Sequence, residues 1–135
     1  MDSLSPQQVI EKRVAAHTAG DFVAIYNSAH SASNFRASFP DVDDYLDYAC
    51  RHQLELLHIE AFAVEFLSVD GSSASVGGKS KCVVTGVTEF FFELHELQRE
   101  DGCWRLLSSC RLVVTEAVYR QSSVTADCFK GHPWF

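Results

Sequence analysis

The stretch Thr88-Glu89-Phe90-Phe91-Phe92-Glu93-Leu94-His95-Glu96-Leu97 carries most of the information about the fold. Along it, an apolar row that includes Phe90 and Phe92 alternates with a more polar row that includes Glu93 and His95. A period of two residues is typical of a β-strand with one buried face. We therefore expect Phe90 and Phe92 to face the protein core, and Glu93 and His95 to face solvent.

Three further strands are predicted around this one. Turn signals at Asp70-Gly71 and Asp101-Gly102 separate neighbouring strands of a hairpin. Glycines inside a strand mark a bulge or a bend, so Gly77-Gly78 predicts that the sheet curls. The additional strands are predicted at 58–69, 73–85 and 103–115.

The register of the last hairpin depends on the length of its loop. A two-residue loop would place Phe92 opposite Arg111, whereas a three-residue loop would keep the apolar rows of the two strands together. Because apolar residues pack with apolar residues on one face of a sheet, we favour the longer loop.

Helix boundary signals divide the N-terminal part of the chain into three helices. Ser5-Pro6-Gln7-Gln8 has the pattern of a capping box, and Gly20 suits the left-handed residue that ends a helix. Asp21 is placed to cap a short second helix. A loop is predicted at 34–39, and a third helix from Val42 to about Gln53.

Length and charge limit the functions that are open to this chain. A chain of 135 residues with 47% apolar residues is expected to form one globular domain. A net charge of −7, without clustered basic residues, argues against nucleic acid and anionic membrane surfaces as partners. We find no apolar run of roughly 18 residues that would span a membrane, and no signal peptide pattern.

The cysteines point to a reducing environment. There are five of them, and none forms a C-x-x-C pair. An odd number without such pairs argues against a disulfide framework and against a zinc site. We therefore expect a cytoplasmic protein without a metal or other cofactor.

Three helices followed by four antiparallel strands predict an α+β fold, in which the curved sheet wraps around the helices as a cone. Gly20-Asp21-Phe22 and the hairpin Glu100-Asp101-Gly102-Cys103-Trp104-Arg105 resemble motifs of the NTF2-like (cystatin-like) superfamily over roughly 6–114. The run Ser33-Asn34-Phe35-Arg36, followed by Phe39-Pro40-Asp41, resembles the middle domain of YchJ-like bacterial proteins, but the SEC-C metal motifs of those proteins are absent. The resemblance implies an NTF2-like domain at 1–118. The tail at 119–135 is expected to pack on the domain or on a partner.

The resemblance also implies where a site would lie. In NTF2-like enzymes, acids, histidines or tyrosines that point into the cone carry the chemistry. His17, on the apolar face of the first helix, and Asp47, on the third, are candidate bases. Each also has a purely structural interpretation, as a histidine at the edge of the core and as a solvated helix residue. The candidate ligand pocket consists of Tyr26, His30, Arg36, Tyr48, Cys82, Phe90 and Phe92.

Three functions remain open at this stage. The first is the binding of a small apolar organic molecule in the cone. The second is an isomerase or dehydratase that uses His17 or Asp47 as its base. The third is a homodimeric interaction module whose outer sheet face presents Phe91. The scarcity of inward acids favours the first and third, and no spacing indicates a Ser-His-Asp or Cys-His set.

Overall fold

The computed structural model describes residues 4–52 and 58–135 and has an α+β architecture, which confirms the predicted fold class. Four strands form one antiparallel sheet in the order β1-β2-β3-β4. Within the described residues, none of the helices combines the length and apolar character needed to cross a bilayer. The elements are α1 (Pro6–Ala19), α2 (Phe22–Asn27), α3 (Asn34–Ser38), α4 (Val42–Arg51), β1 (His58–Asp70), β2 (Ser73–Val84), β3 (Val87–Glu100), β4 (Cys103–Val114), α5 (Glu116–Gln121) and a 3-10 helix (Ala126–Phe129).

Helix α1 begins and ends where its boundary signals predicted, and α2 begins at its predicted cap. The Ser5 side chain accepts a hydrogen bond from the backbone N of Gln8, and the Gln8 side chain accepts one from the backbone N of Ser5, which is a complete capping box. Gly20 ends α1 in the left-handed region at φ 69°. Asp21 then caps α2 by accepting a hydrogen bond from the backbone N of Ala24.

The segment that we interpreted as a loop at 34–39 instead forms the short helix α3. Ser33 caps it by accepting a hydrogen bond from the backbone N of Arg36 at 3.1 Å. Four helices therefore precede the sheet in the described residues, and the predicted third helix is α4. Its predicted end at Gln53 lies outside the described residues.

The hairpin between β3 and β4 has a two-residue turn, Asp101-Gly102, and not the three-residue loop that we favoured. The register nevertheless shifts by one residue at Leu107, which has no partner opposite it on β3. This β-bulge restores the pairing of Phe92 with Leu112, so the apolar rows still meet.

Strand β3 presents Phe91, Glu93, His95 and Leu97 to the helices, which reverses the orientation that we predicted. Leu97 packs against Val9 of α1, and this side of the sheet is called the inner face below. The prediction was wrong because Glu93 and His95 were treated as solvent-facing, whereas buried polar groups are tolerated when each has a hydrogen-bond partner.

The outer face of the sheet is covered by residues that follow β4. Phe92 packs in one cluster with Val124 and Phe129, and the rings of Phe90 and Tyr119 lie 4.8 Å apart. The phenylalanines that we expected to face the helices are therefore shielded by the C-terminal segment. The sheet is therefore buried on both sides over this part of its area. Alternation along a strand predicts one buried face only, so it could not indicate this second cover.

Bulges and glycines shape the pairing of β1 with β2. The register shifts at Glu60 and again at Glu65. The second shift lies opposite Gly77-Gly78, where a Cβ on the first glycine would come within 2.0 Å of the Phe66 ring. A Cβ on the second would come within 2.6 Å of the Ala63 carbonyl oxygen. The glycine pair therefore allows a ring and a backbone to approach more closely than any side chain would permit.

Two other segments pair with the outer edge of β4. The backbone N of His30 donates to the Leu106 carbonyl at 2.7 Å, and the backbone N of Leu106 donates to the Ser28 carbonyl at 2.8 Å, which forms a short parallel bridge. Further along, Phe135 and Ser109 exchange backbone hydrogen bonds of 2.8 and 3.0 Å. Through these contacts, part of the β4 edge forms backbone hydrogen bonds within the chain. Without them, its N–H and C=O groups would bond to water or to another chain.

We predict that Gly77→Ala lowers the free energy of unfolding by about 1 to 3 kcal/mol, because the new methyl group must displace the Phe66 ring. Urea unfolding of the purified protein measures the change. In a Phe66→Ala background the same substitution should cost much less, since the obstacle is gone. An equal cost in both backgrounds would contradict this explanation.

We predict that Phe129→Ala lowers the free energy of unfolding by about 3 kcal/mol, because it opens a cavity against Phe92 on the outer face. The matched control is Phe135→Ala, since the Phe135 side chain is largely exposed and its backbone contacts remain. Both are compared by urea unfolding. Similar losses for the two variants would show that the outer cluster does not stabilise the sheet.

Candidate functional site

The inner face carries a chain of hydrogen-bonded polar groups that crosses three strands. Ser80 of β2 donates its hydroxyl proton to Glu93 of β3. The other carboxylate oxygen of Glu93 lies 2.9 Å from Nε2 of His95, and Nδ1 of His95 lies 2.7 Å from the hydroxyl oxygen of Ser109 on β4. Ser80, Glu93 and His95 are buried, with 0%, 3% and 7% exposure, whereas Ser109 is partly exposed. We call Glu93, His95 and Ser109 the inner triad.

Strand register explains why these groups meet. Glu93 and His95 are two residues apart on β3, so both side chains point to the inner face. Ser109 pairs directly with His95, and Arg111 pairs directly with Glu93. The Nε atom of Arg111 lies 3.7 Å from the Glu93 carboxylate, and its guanidinium carbon lies 5.2 Å from the centre of the Phe91 ring.

Glu93 is ionised in this environment. Burial by itself would raise the pKa of its carboxyl group, but the hydrogen bond from His95, the charge of Arg111 and the hydrogen bond from Ser80 lower the pKa to about 2. A buried carboxylate with this many partners costs little to keep charged. At neutral pH the inner triad therefore contains a fixed negative charge.

Helix α1 adds a cation and a neutral imidazole to the interior. Arg13 donates to the Ile25 carbonyl at 3.2 Å and to the Ser28 hydroxyl at 2.8 Å. Its burial lowers the pKa of the guanidinium to about 10, so it stays charged at neutral pH. Burial, followed by the charges of Arg13 and Arg111, lowers the pKa of His17 to about 4. The candidate base His17 is therefore uncharged at neutral pH.

The second candidate base, Asp47, lies on the solvent side of α4. Its carboxylate is 2.9 Å from Arg51, one helical turn away, and about three-fifths of its side chain is exposed. Exposed pairs of this kind contribute little to stability and keep both groups hydrated. The geometry fits the structural interpretation of Asp47 as a solvated helix residue.

Two of the residues predicted to line a pocket are brought together under the helices. The Tyr26 hydroxyl donates to the Phe39 carbonyl at 2.8 Å, and the Arg36 guanidinium lies 4.1 Å from the centre of the Tyr26 ring. Tyr48 also packs against the Phe39 ring, but about half of its surface is exposed. His30 lies apart from them, where its Nδ1 accepts a hydrogen bond from the backbone of the following loop.

The remaining predicted pocket residues are spread over both faces of the sheet. Cys82 is buried on the inner face in a cluster with Ile59 and Phe91. Phe90 and Phe92 lie on the outer face, as described above. Phe91, which we expected to be exposed on an outer dimer surface, is only 6% exposed. The dimer hypothesis therefore loses the residue on which it was built.

A cavity of about 460 Å³ opens between α1, α2 and the start of β4. None of the seven predicted pocket residues lines it. Its wall combines apolar surface with three cationic side chains and one acidic side chain. The lining residues are Leu4, Val9, Lys12, Arg13, Asp21, Val23, Ala24, Asn27, Ser28, Cys103, Trp104 and Arg105. We call it the α1–α2 cavity.

Arg105 is the cation of the α1–α2 cavity with an unused donor. Its Nη1 donates to the Asn27 carbonyl. Its Nε is buried and, among the described residues, has no hydrogen-bond partner, although the Glu100 carboxylate lies 3.4 Å away at an angle unsuited to a hydrogen bond. A buried donor without an acceptor is costly, and here the nearby Glu100 carboxylate compensates the charge of the guanidinium.

Sequence reasoning missed the inner triad and the α1–α2 cavity. The one local signal for the triad is the Glu93-Leu94-His95 pattern, which places an acid and an imidazole side by side on one strand face. Ser109 is contributed by another strand, so no spacing along the chain indicates it. Across residues 4–52 and 58–135, no group of three or more histidine, cysteine, aspartate or glutamate side chains is placed to hold a metal ion.

Comparison with known proteins gives a fold likeness. The solution structure of RPA3114, a SEC-C motif containing protein from Rhodopseudomonas palustris, superimposes with a TM-score of 0.60. The identity is 20%, over 82% of this chain and 80% of that chain. No protein-family model and no curated protein matches the sequence. At this identity the likeness shows a shared fold.

We predict that His17 makes stability depend on pH. Its pKa is about 4 in the folded protein, against an ordinary value of about 6.5. Between these values the unfolded chain binds a proton that the folded protein does not. The free energy of unfolding should therefore fall by about 2 kcal/mol on going from neutral pH to about pH 5.

Urea unfolding at both pH values measures this loss, and His17→Asn should remove it. The matched control is His132→Gln, because His132 is exposed near the end of the chain and should leave the loss unchanged. At about pH 5 the Glu93 carboxylate contributes little to the loss, because its contribution disappears only as the pH falls below the ordinary carboxyl pKa of 4.5. A loss that persists in His17→Asn would contradict the assignment.

Proposed function

We propose that the protein binds a small organic anion in the α1–α2 cavity. The observation that carries this proposal is the lining, in which Lys12, Arg13 and Arg105 surround an apolar space and Asp21 is the one acidic side chain among the lining residues described. A volume of about 460 Å³ falls within the usual size of small-molecule sites. This proposal keeps the predicted small-molecule ligand but moves it to another part of the fold.

Charge supports an anion. The chain as a whole carries a net charge of −7, so a wall with three cations and one carboxylate runs against the overall balance. Asp21 also accepts the capping hydrogen bond from Ala24, which occupies one of its oxygens. A cleft of one sign of charge with low-dielectric walls concentrates ligands of the opposite sign.

Apolar and polar contacts divide the ligand into two parts. Trp104, Val9 and Val23 provide surface for a flat or branched hydrocarbon body. The Arg105 guanidinium lines the cavity and provides a cationic donor group for a carboxylate, sulfonate or phosphate oxygen. Charge-assisted hydrogen bonds to guanidinium groups are among the strongest that proteins make with such groups.

The family assignment is also a proposal. We infer that the chain is an NTF2-like protein related to the middle domain of YchJ-like proteins. Support comes from the Gly20-Asp21-Phe22 and Glu100-to-Arg105 motifs, the sheet with helices on its inner face, and the fold likeness to a SEC-C motif containing protein.

We predict that anilinonaphthalene sulfonate, an apolar anion that fluoresces when bound, saturates one site per folded chain. Arg105→Gln should weaken its binding about tenfold, because one charge-assisted hydrogen bond is lost. The neutral analogue phenylnaphthylamine should bind both proteins equally. Fluorescence titration at low ionic strength measures all three affinities, and added salt should weaken only the anion.

The matched control is Arg120→Gln, which removes the same charge from α5, where Arg120 contacts Glu116. Because Arg105 also contacts Asn27 and Glu100, Lys12→Gln is tested as well; Lys12 is exposed and lines the same cavity. It should weaken the anion several-fold. Absence of saturable binding, or an equal loss with Arg120→Gln, would overturn the proposal.

A further inference from the structure

The inner triad has a gradient of exposure along its length. Glu93 is 3% exposed and His95 is 7% exposed, whereas Ser109 is partly exposed. Beyond Ser109 on the same row of β4, about two-fifths of the Arg111 side chain is exposed, and Val113 is 69% exposed. Exposure of the residues therefore rises from Glu93 to Ser109, and the serine is the most exposed member of the triad.

The contacts of the triad give its protons one direction when the imidazole is neutral. The ionised Glu93 carboxylate accepts only, so Nε2 of His95 carries a proton and donates it at 2.9 Å. In the neutral imidazole, Nδ1 is then an acceptor. The Ser109 hydroxyl oxygen lies 2.7 Å away, so with this tautomer the hydroxyl is the donor and Nδ1 the acceptor. The order is hydroxyl, imidazole, carboxylate.

This order is the one that activates a serine for nucleophilic attack. The arrangement is defined by these proton positions and not by the fold or by the order of residues along the chain. Here the serine contacts Nδ1 and the carboxylate contacts Nε2, and either ring nitrogen can accept a proton when the other carries the hydrogen. In a purely structural network, any of the three groups could be the most exposed one. Here the most exposed member is the serine.

We propose that Ser109 is a catalytic nucleophile that cleaves carboxylic esters, with His95 as its general base and Glu93 as a positioning residue. The Ser109 hydroxyl oxygen bonds to the ester carbonyl carbon while its proton passes to His95. The bond from that carbon to the alkoxy oxygen breaks, and His95 returns the proton to the leaving alcohol. Water then attacks the acyl-serine by the same route and releases the carboxylic acid, which restores the hydroxyl.

Arg111 is placed to favour the charge that develops in this reaction. It lies two residues beyond Ser109 on the same face of β4, with part of its guanidinium side in solvent. A fixed cation beside a carbonyl that becomes an oxyanion lowers the barrier because it needs no reorganisation. Ser80 and Arg111 both contact Oε2 of Glu93, which leaves Oε1 for the contact with Nε2 of His95.

A fluorophosphonate-biotin probe tests the nucleophile directly. Attack by the Ser109 oxygen forms a bond to phosphorus, fluoride leaves, and the proton goes to His95. Intact-protein and peptide mass spectrometry should find one adduct on the folded wild-type protein, at Ser109. The adduct should be absent in Ser109→Ala, and it should form at least 100-fold more slowly in His95→Gln.

Ser75→Ala is the matched control. The Ser75 hydroxyl donates to the Glu96 carboxylate at 2.8 Å. Unlike Ser109, it has no imidazole partner among the described residues. Labelling should be unchanged in this variant. Circular dichroism confirms that each variant is folded. If His95→Gln does not fold, the comparison is between folded wild-type protein and the same protein in urea, where labelling should disappear.

Glu93 is tested by the tautomer of His95 together with the rate at which Ser109 is labelled. Nitrogen NMR of wild-type protein should show His95 protonated on Nε2 alone. In Glu93→Gln, the side-chain amide can donate to that nitrogen, so the tautomer should reverse and labelling of Ser109 should slow at least tenfold. The proposal is overturned if folded wild-type protein forms no adduct at Ser109, or if folded His95→Gln is labelled as fast as wild type. Neither result bears on the α1–α2 cavity.

Discussion

One extra residue in β4 sets the arrangement of both faces of the sheet. Leu107 has no partner on β3, so the strand changes the face of its side chains at that point. Before the bulge, Trp104 and Leu106 pack on α1. After it, Cys110 joins the cluster under the C-terminal segment, and Ser109 comes to lie opposite His95. A slip of one residue would exchange the two faces and separate the inner triad.

The double cover of the sheet explains how a charged group persists at its centre. With helices on one side and the C-terminal segment on the other, the middle of β3 is shielded from water. Glu93 keeps its charge there because its oxygens have partners on β2, β3 and β4. Removing one of these partners would leave the buried Glu93 charge less well compensated. The resulting loss of stability is larger than the net contribution of the intact interaction. The polar row is thus as constrained as the apolar one.

Features that depend on near neighbours could be predicted from the sequence. The caps at Ser5, Gly20 and Asp21 each involve residues within four positions, and all three are in place. The four strands and the curvature signal at Gly77-Gly78 were predicted for the same reason. The loop length in the last hairpin was not, because the bulge at Leu107 satisfies the same apolar pairing in another way.

The orientation of β3 and the candidate site depend on distant parts of the chain. His95 is buried because Ser109 offers it a partner, and nothing near His95 in the sequence indicates that serine. Phe92 faces away from the helices because Phe129 covers it, and the segment around Phe129 has no periodic pattern. His17 was identified from its helical face alone, but its neutral state depends on burial and on two arginines from different elements.

The parallel bridge joins residues 28–30, which follow α2, to Leu106 of β4, the fourth strand. While the ribosome is still making β1 to β3, the Ser28 carbonyl and the His30 N–H lack the Leu106 partner that they have in the folded protein. This contact spans a long sequence separation, so its loop-closure entropy must be overcome late. The backbone contact between the helical layer and β4 can therefore form only after the fourth strand has left the exit tunnel.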